Sequence, residues 1–319
     1  LVGAPALLSF YCGTAALHAA LVLAGVRPGD EVVSTPLTAE PTNMAILQAG
    51  ARVRWADVDP DSGAVTGATL AEAITPRTRA VMVVHYGGTP VPLDEIHAVA
   101  ARHGLPVVED AAHALGATYR GRPIGSHSPF VVFSFQAIKH MTTVDGGALA
   151  LGDPALAPAG RRFRWFGIDR AQPRLEVAVA EVGWKYHMND VTAQIGLVQL
   201  DHIAPVLARH VENGRWLDAA LAGVPGIALP PLPEGAGPAY WFHTLLAENR
   251  DGLMRRLDEA GIESSLIHRR NDAHPVFADA ARPLPGLDAF WSRVLHLPCG
   301  WWVGDADRER IAAVIRAGW

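Results

Sequence analysis

The sequence has 319 residues and a mass of 34.0 kDa, enough for two domains or one large α/β unit with an appendage, and too long for a small disulfide scaffold. Half of it is apolar and 18% is charged, with 31 Gly and 24 Pro scattered through it, a composition that buries a sizeable core and argues against disorder. Its 27 basic and 32 acidic residues give a net charge of -5 without long like-charge runs; this leaves no electrostatic footprint for nucleic acid or an anionic membrane and points to small-molecule chemistry.

Residues 1–26 contain no Asp, Glu, Lys or Arg, a window long enough to cross a bilayer. The stretch is interrupted by Gly3, Pro5, Ser9, Gly13, Thr14 and His18 and has no basic n-region, so a buried strand running into a helix is the simpler reading. The chain starts at Leu1, without an initiator Met and already inside this apolar segment, and some N-terminal sequence is expected to precede it. From residue 13 to 151, helix-like stretches alternate with short β-branched runs, the signature of βα units around a mainly parallel sheet. Strands are expected at 31–34, 52–55, 81–85, 106–109, 131–135 and 148–151, and helices at 14–24, 41–48, 67–74 and 92–103, the last stopped by Gly104.

Residues 188–222 read as long helical stretches kinked near Pro205, and the Pro/Gly-rich run 224–238 reads as a connection between domains. The expected organisation is therefore a large domain at 1–222 and a smaller one at 223–319. Within the latter, 240–246 reads as a strand, 251–260 as a helix ended by Gly261, and 305–317 as a C-terminal helix. Two cysteines, Cys12 and Cys299, cannot build a disulfide framework and suit a reducing cytoplasm.

Lysine usage is the sharpest signal. Only Lys139 and Lys185 occur, so arginine serves wherever a generic cation suffices. A lysine can act as an amine nucleophile toward carbonyls because its pKa can be lowered, whereas arginine stays protonated. Lys139 follows the apolar run 130–135 and precedes Asp145-Gly146-Gly147, which places it in a loop at a strand end. Asp110 closes the run Pro-Val-Val-Glu-Asp (106–110), at the C-terminal edge where open α/β sheets bind ligands. A carboxylate for a pyridinium nitrogen and a lysine for a Schiff base are the two protein groups that a pyridoxal phosphate (PLP) site demands. Alone, Asp110 reads more readily as a helix N-cap. Cys12-Gly13-Thr14-Ala15 leads directly into a helix whose first N–H groups could hold a phosphate, with Ser134 able to add a hydroxyl; ordinary N-caps look the same. Neither G-x-G-x-x-G nor G-x-x-x-x-G-K-[ST] is present.

In combination the chain resembles the DegT/DnrJ/StrS family of PLP-dependent sugar aminotransferases, over nearly its whole length. The resemblance rests on Gly-Thr-Ala-Ala-Leu-His (13–18), Pro-Gly-Asp-Glu-Val-Val (28–33), Thr-Pro-Arg-Thr-Arg-Ala (75–80), Glu-Asp-Ala-Ala-His-Ala-Leu-Gly-Ala (109–117) and Ser-Phe-Gln-Ala-Ile-Lys (134–139). It implies the fold type I, aspartate-aminotransferase-like architecture, with a mainly parallel sheet in the large domain and a smaller C-terminal α+β domain. It further implies Lys139 as the Schiff-base lysine, Asp110 as partner of the pyridine nitrogen, His113 near the ring O3′, and Gly13, Thr14, Ala15 and Ser134 at the phosphate. A dehydratase branch carries histidine in place of the Schiff-base lysine; Lys139 therefore favours transamination.

Gly-Trp-Lys-Tyr-His-Met-Asn-Asp (183–190) resembles the stretch through which one subunit of the family touches its neighbour's cofactor phosphate or substrate, which implies a homodimer and a cofactor- or substrate-binding role for Lys185. A surface lysine at a helix start is the plainer reading. His268, Arg269 and Arg270 fall in what resembles the family's substrate loop, and such an arginine pair suits a nucleotide diphosphate; a solvated basic turn is the alternative. His268 and His274 lack a third metal ligand at suitable spacing. The family often has an aromatic residue near Ala39 to stack on the pyridine ring, and here that role is unassigned. The expected activity is transfer of an amino group, with glutamate as donor, to a nucleotide-linked keto sugar, with His113 leaning toward C4. Cyclitol amination, sugar deoxygenation and a non-catalytic binding or regulatory paralogue stand beside it.

Overall fold

The computed structural model describes all 319 residues. The charge-free segment folds as β1 (Ala6–Phe10) and α1 (Gly13–Leu23). Ala15 through Leu21 are all buried, and a helix that is apolar all round is stable only when covered on all sides. That requirement accounts for the missing charges without a membrane.

Next come β2 (Glu31–Ser34), α2 (Glu40–Gln48), β3 (Arg52–Trp55), α3 (Gly67–Ala73), β4 (Thr78–Val84), α4 (Leu93–Arg102) and β5 (Val107–Asp110). The expected elements are present and differ only at their ends. Helix α4 carries Asp94 and Glu95 in its first turn and Arg102 in its last, charges that complement the helix dipole. A hairpin of β6 (Thr118–Tyr119) and β7 (Arg122–Pro123) precedes β8 (Phe130–Ser134) and β9 (Gly147–Leu151). The seven-stranded sheet has the order β1-β9-β8-β5-β4-β2-β3. Its run from β8 to β3 is parallel, while β9 is antiparallel to both β8 and β1.

Beyond the sheet lie α5 (Ala157–Phe163), α6 (Asp190–Leu200) and α7 (Ile203–Leu221). The last two meet at a 63° bend. The break falls at Asp201 and His202, ahead of Pro205, which sits in the first turn of α7, where a missing N–H has no intrahelical bond to lose. The expected connection at 224–238 contains β10 (Ile227–Ala228) and β11 (Ala236–Gly237); β11 pairs with β6, and β10 pairs with β12 (His243–Ala247). The chain ends with α8 (Arg250–Glu259), α9 (Pro285–Arg293), β13 (Val294–Leu297) and α10 (Asp305–Arg316). A smaller core gathers Leu217 and Leu221 of α7 with Leu245, Leu253, Leu295 and Ile315, so the last turns of α7 pack with the C-terminal elements.

One expected strand is shortened. Residues 240–246 read as continuous, yet β12 begins only at His243 because Tyr240 adopts a left-handed φ of 49°. The residues around it turn back to the large domain: the N–H groups of Ala239 and Trp241 donate to Gly88 O and Gly87 O, each at 2.9 Å. Gly88 permits this approach. Its φ is +90°, and a Cβ there would lie 2.6 Å from the His113 carbonyl oxygen.

The seam between Gly88, His113 and Trp241 is therefore sterically closed to a side chain. Gly88→Ala is expected to lower stability by the left-handed strain of about 1–2 kcal/mol plus about 1–3 kcal/mol of overpacking. Gly104→Ala, at φ +64° with nothing within 4 Å, should show the strain alone. Thermal midpoints of the two variants measure the difference.

Candidate active site

The parallel strands end at a cavity of about 460 Å³ whose walls include Gly13, Thr14, Val84, Asp110, Ser134 and Lys139. This is the carboxyl edge of the sheet, where successive strands deliver their last side chains to one crevice. The volume is within the range typical of small-molecule sites.

At one end stands the start of α1. Cys12 is its N-cap, and the Cys12 thiol accepts from Ala15 N at 3.4 Å. The N–H groups of Gly13 and Thr14 take no acceptor from the surrounding loops, as expected for the first turn of a helix. A Cβ on Gly147 would lie 2.6 Å from Gly13 N, so the close seating of β9 beneath the helix start requires glycine. Ser134 faces the same helix start, its Cβ 3.1 Å from the place a Gly13 Cβ would occupy.

Asp110 is buried at the end of β5. One carboxylate oxygen accepts from Ala112 N at 3.0 Å and the other from the Thr42 hydroxyl at 2.7 Å. Thr42 in turn meets Thr38 Oγ1 at 2.8 Å. A buried carboxylate with two fixed donors keeps one orientation.

Lys139 sits in the turn after β8, with Nζ 4.0 Å from the centre of the Trp241 ring. Burial of the amine lowers its pKa to about 8, against the opposing pull of Asp110. Trp241 also donates from Nε1 to Ile138 O at 2.8 Å and stacks on His113, with ring centres 3.8 Å apart and planes inclined by 16°. Burial first, and the Lys139 charge second, hold His113 well below the usual histidine range, and His113 Nδ1 is buried without a partner. The His268 ring lies nearly parallel to that of His113, 5.8 Å away, its pKa brought down to about 4 by burial and then by Lys139.

The structure thus brings Gly13, Thr14, Asp110, His113, Ser134, Lys139 and His268 to one cavity, and leaves four expected residues outside it. Ala15 is buried with its N–H turned to Cys12. Lys185 is exposed, 5.9 Å from the Trp165 ring. Arg269 is exposed and donates to Ala273 O. Arg270 is held by both oxygens of Asp272, at 2.9 and 2.7 Å, and by Asp288, so its fork is already filled within the chain. Ala39 lines the cavity with only a methyl group.

Sequence reasoning missed Thr42, Trp241 and Asn271. Thr42 lies three positions beyond Ala39, where the resemblance drew attention to a missing aromatic ring, and Trp241 lies in 240–246, which reads as a strand. Asn271 joins distant parts of the chain: it accepts from Asn43 Nδ2 at 2.8 Å, donates to Thr38 O at 2.8 Å, and its N–H reaches Pro36 O at 2.9 Å. No local pattern marks it, because its partners are more than 200 positions away.

These groups fit PLP. The free N–H groups with Ser134 suit a phosphate, the oriented Asp110 suits a ring nitrogen, and Lys139 is an amine of lowered pKa without an ion-pair partner. In cofactor-free protein, reaction of Lys139 with an aldehyde should rise with pH through about 8, as the neutral amine accumulates. Asp110→Asn removes the charge that opposes the shift and should move this midpoint lower; a pH series of labelling followed by mass spectrometry measures both. Thr42→Val should weaken cofactor affinity by roughly tenfold, the worth of a hydrogen bond to a charged group, and Thr42→Ser should retain it; absorbance titration tests the pair.

The family model for the DegT/DnrJ/EryC1/StrS aminotransferases matches residues 1–316. Among solved structures, the chain is similar to the sugar aminotransferase CalS13 from Micromonospora echinospora, with 44% identity and a TM-score of 0.96 over 100% of this chain and 89% of that one. It is similar to AtS13 from Actinomadura melliaura at 42% identity, TM-score 0.96, over 100% and 88% of the two chains. DesV of S. venezuelae, solved in complex with a ketimine intermediate, shares 32% identity at TM-score 0.90 over 98% and 84%.

Proposed function

The chain belongs to the DegT/DnrJ/EryC1/StrS aminotransferase family, whose members are PLP-dependent and act on sugars, and from that premise we propose that it moves an amino group from glutamate to C4 of a nucleotide-linked keto sugar. The observation that carries the reading is the meeting of Lys139, Asp110 and the start of α1 in one cavity. Lysine at position 139, rather than the histidine of the dehydratase branch, keeps an amine available for transamination.

When bound, PLP supplies an aldehyde that exchanges amines and a ring that takes up the electron pair left by removal of a Cα proton. The N–H groups of Gly13 and Thr14 and the hydroxyl of Ser134 would hold its phosphate. Asp110, fixed by Thr42, keeps a proton on the ring nitrogen. Lys139 Nζ takes the proton from the donor Cα, and its lowered pKa suits it to do so near neutral pH. His113, backed by Trp241 and held below the usual histidine range, would present a neutral ring toward the cofactor's ring substituents. His268, which faces the cavity from the small domain, contacts substrate. Arg270, occupied by Asp272 and Asp288, instead stiffens the loop that presents Asn271.

We further propose a homodimer in which Lys185 serves the neighbouring cavity. Support comes from α6, where Gly196 is the single buried residue and Val191 is 74% exposed beside exposed Leu197, Val198 and Leu200. Apolar surface of this kind marks an interface. No single helix is long and apolar enough to cross a membrane; only the bent pair α6–α7 reaches that length and hydropathy together.

Incubation with ¹⁵N-glutamate and a nucleotide-linked 4-keto sugar, read by NMR, tests substrate, donor and position together. The expected product carries ¹⁵N on C4. Label on another carbon overturns the position, and label transferred only to a cyclitol or other acceptor overturns the substrate.

A further inference from the structure

A second cavity, of about 250 Å³, has Tyr86, Asp218, Tyr240, Phe242, His243 and Phe290 in its lining, with the proline-rich run 229–233 along one side. Prolines fix their own φ, so that side is stiff. The cavity is distinct from the one holding Lys139. Val84 alone borders both, and Phe242 meets His113 edge-on with ring centres 5.8 Å apart.

Two positions of α7 shape one wall. Gly214 and Asp218 stand four residues apart and so share a helix face. A Cβ on Gly214 would run into the Tyr240 ring, so glycine lets that ring lie against the helix, where its hydroxyl donates to Asp218 Oδ2. The other carboxylate oxygen lies 2.9 Å from His243 Nε2. Burial by itself would raise the Asp218 pKa, but hydrogen bonds from His243 and Tyr240 outweigh it and bring the carboxylate below its usual range. His243 is fully buried and its Nδ1 has no partner; a protonated ring would bury a second N–H without an acceptor, so the geometry favours the neutral imidazole. Asp218 pairs with no Lys or Arg, and none lines the cavity. Arg215, whose charge acts on Tyr240, is exposed and outside the lining. The cavity therefore carries one uncompensated negative charge among four aromatic rings. Two of these, Tyr86 and Phe242, meet edge to face with centres 5.3 Å apart.

We propose that this cavity binds a small organic ammonium ion, with Asp218 as its counter-charge and Tyr86, Tyr240, Phe242 and Phe290 as the aromatic enclosure. Aromatic rings attract cations through their quadrupole, most strongly where water is excluded, and a carboxylate keeps acceptor positions beyond the two taken by His243 and Tyr240. The same lining disfavours an anion, which would face Asp218 with no cation to offset it. Carboxylate donors and phosphorylated substrates therefore belong elsewhere on the molecule. The site does not depend on the reaction proposed above. An aminated sugar, the kind of product the family's reaction makes, falls in the ligand class it selects.

Calorimetric titration of the PLP-loaded protein with choline tests the site, beside neohexyl alcohol, in which a quaternary carbon replaces the charged nitrogen. Choline has no N–H and cannot exchange with an aldehyde, so its binding is read apart from any chemistry at Lys139. Choline should bind at least tenfold more tightly than the alcohol. Asp218→Asn should remove that preference, whereas Asp279→Asn, which deletes an exposed acid elsewhere, should keep it. Phe242→Leu retains an apolar side chain without a π face and should weaken choline several-fold while leaving the alcohol unchanged. Absence of choline binding, equal affinity for choline and the alcohol, or full choline affinity in Asp218→Asn overturns the proposal. Thermal midpoints report whether each variant folds; if Asp218→Asn does not, the comparison of the two probes on the unmodified protein and on Phe242→Leu decides.

Discussion

The structure depends on keeping one amine and one carboxylate in the same cavity without letting them neutralise each other. Asp110 directs its oxygens to Thr42 and Ala112, and Lys139 rests over an indole ring rather than against an acid. An ion pair between them would hold the amine protonated and occupy the carboxylate, leaving neither group free for a cofactor. Desolvation lowers the lysine pKa, and the proximity of Asp110 limits how far it falls. The result is an amine of lowered pKa in the same cavity as an oriented carboxylate.

Residues from distant parts of the chain maintain this separation. The parallel strands β4, β5 and β8 end together and supply Val84, Asp110 and Ser134, while Gly147 lets the start of α1 descend onto β9. The C-terminal third of the chain supplies the remainder. Trp241 reaches across at Gly87 and Gly88 to back His113 and cover Lys139. Asn271 ties its own loop to Thr38, which leads through Thr42 to Asp110.

Legibility in the sequence follows the range of the interactions. The βα units of the large domain are governed by local periodicity, and 31–34 and 52–55 match the observed strands residue for residue. Lys139, Asp110 and Gly13-Thr14 were visible because each stands at the end of such an element, next to a motif of its own. Helix α9 went unassigned because its start is capped by Asp57, whose two oxygens accept from Gly286 N and Leu287 N at 2.8 Å from across the fold. Tyr240 hid the end of a strand by taking a left-handed φ that apolar patterning does not encode. Arg270 looked available because its partners Asp272 and Asp288 fill its fork only after folding. Thr42 and Asn271 act through contacts made at distances of 68 and 228 positions, beyond any sequence window.

The most direct test is the absorbance spectrum of the protein incubated with PLP and then with glutamate, alongside Lys139→Ala. The expected result is a long-wavelength band in the unmodified protein that collapses on addition of glutamate and never forms in Lys139→Ala. A band of equal intensity in both proteins, or no band in either, would contradict the assignment of Lys139 as the reactive amine of this cavity.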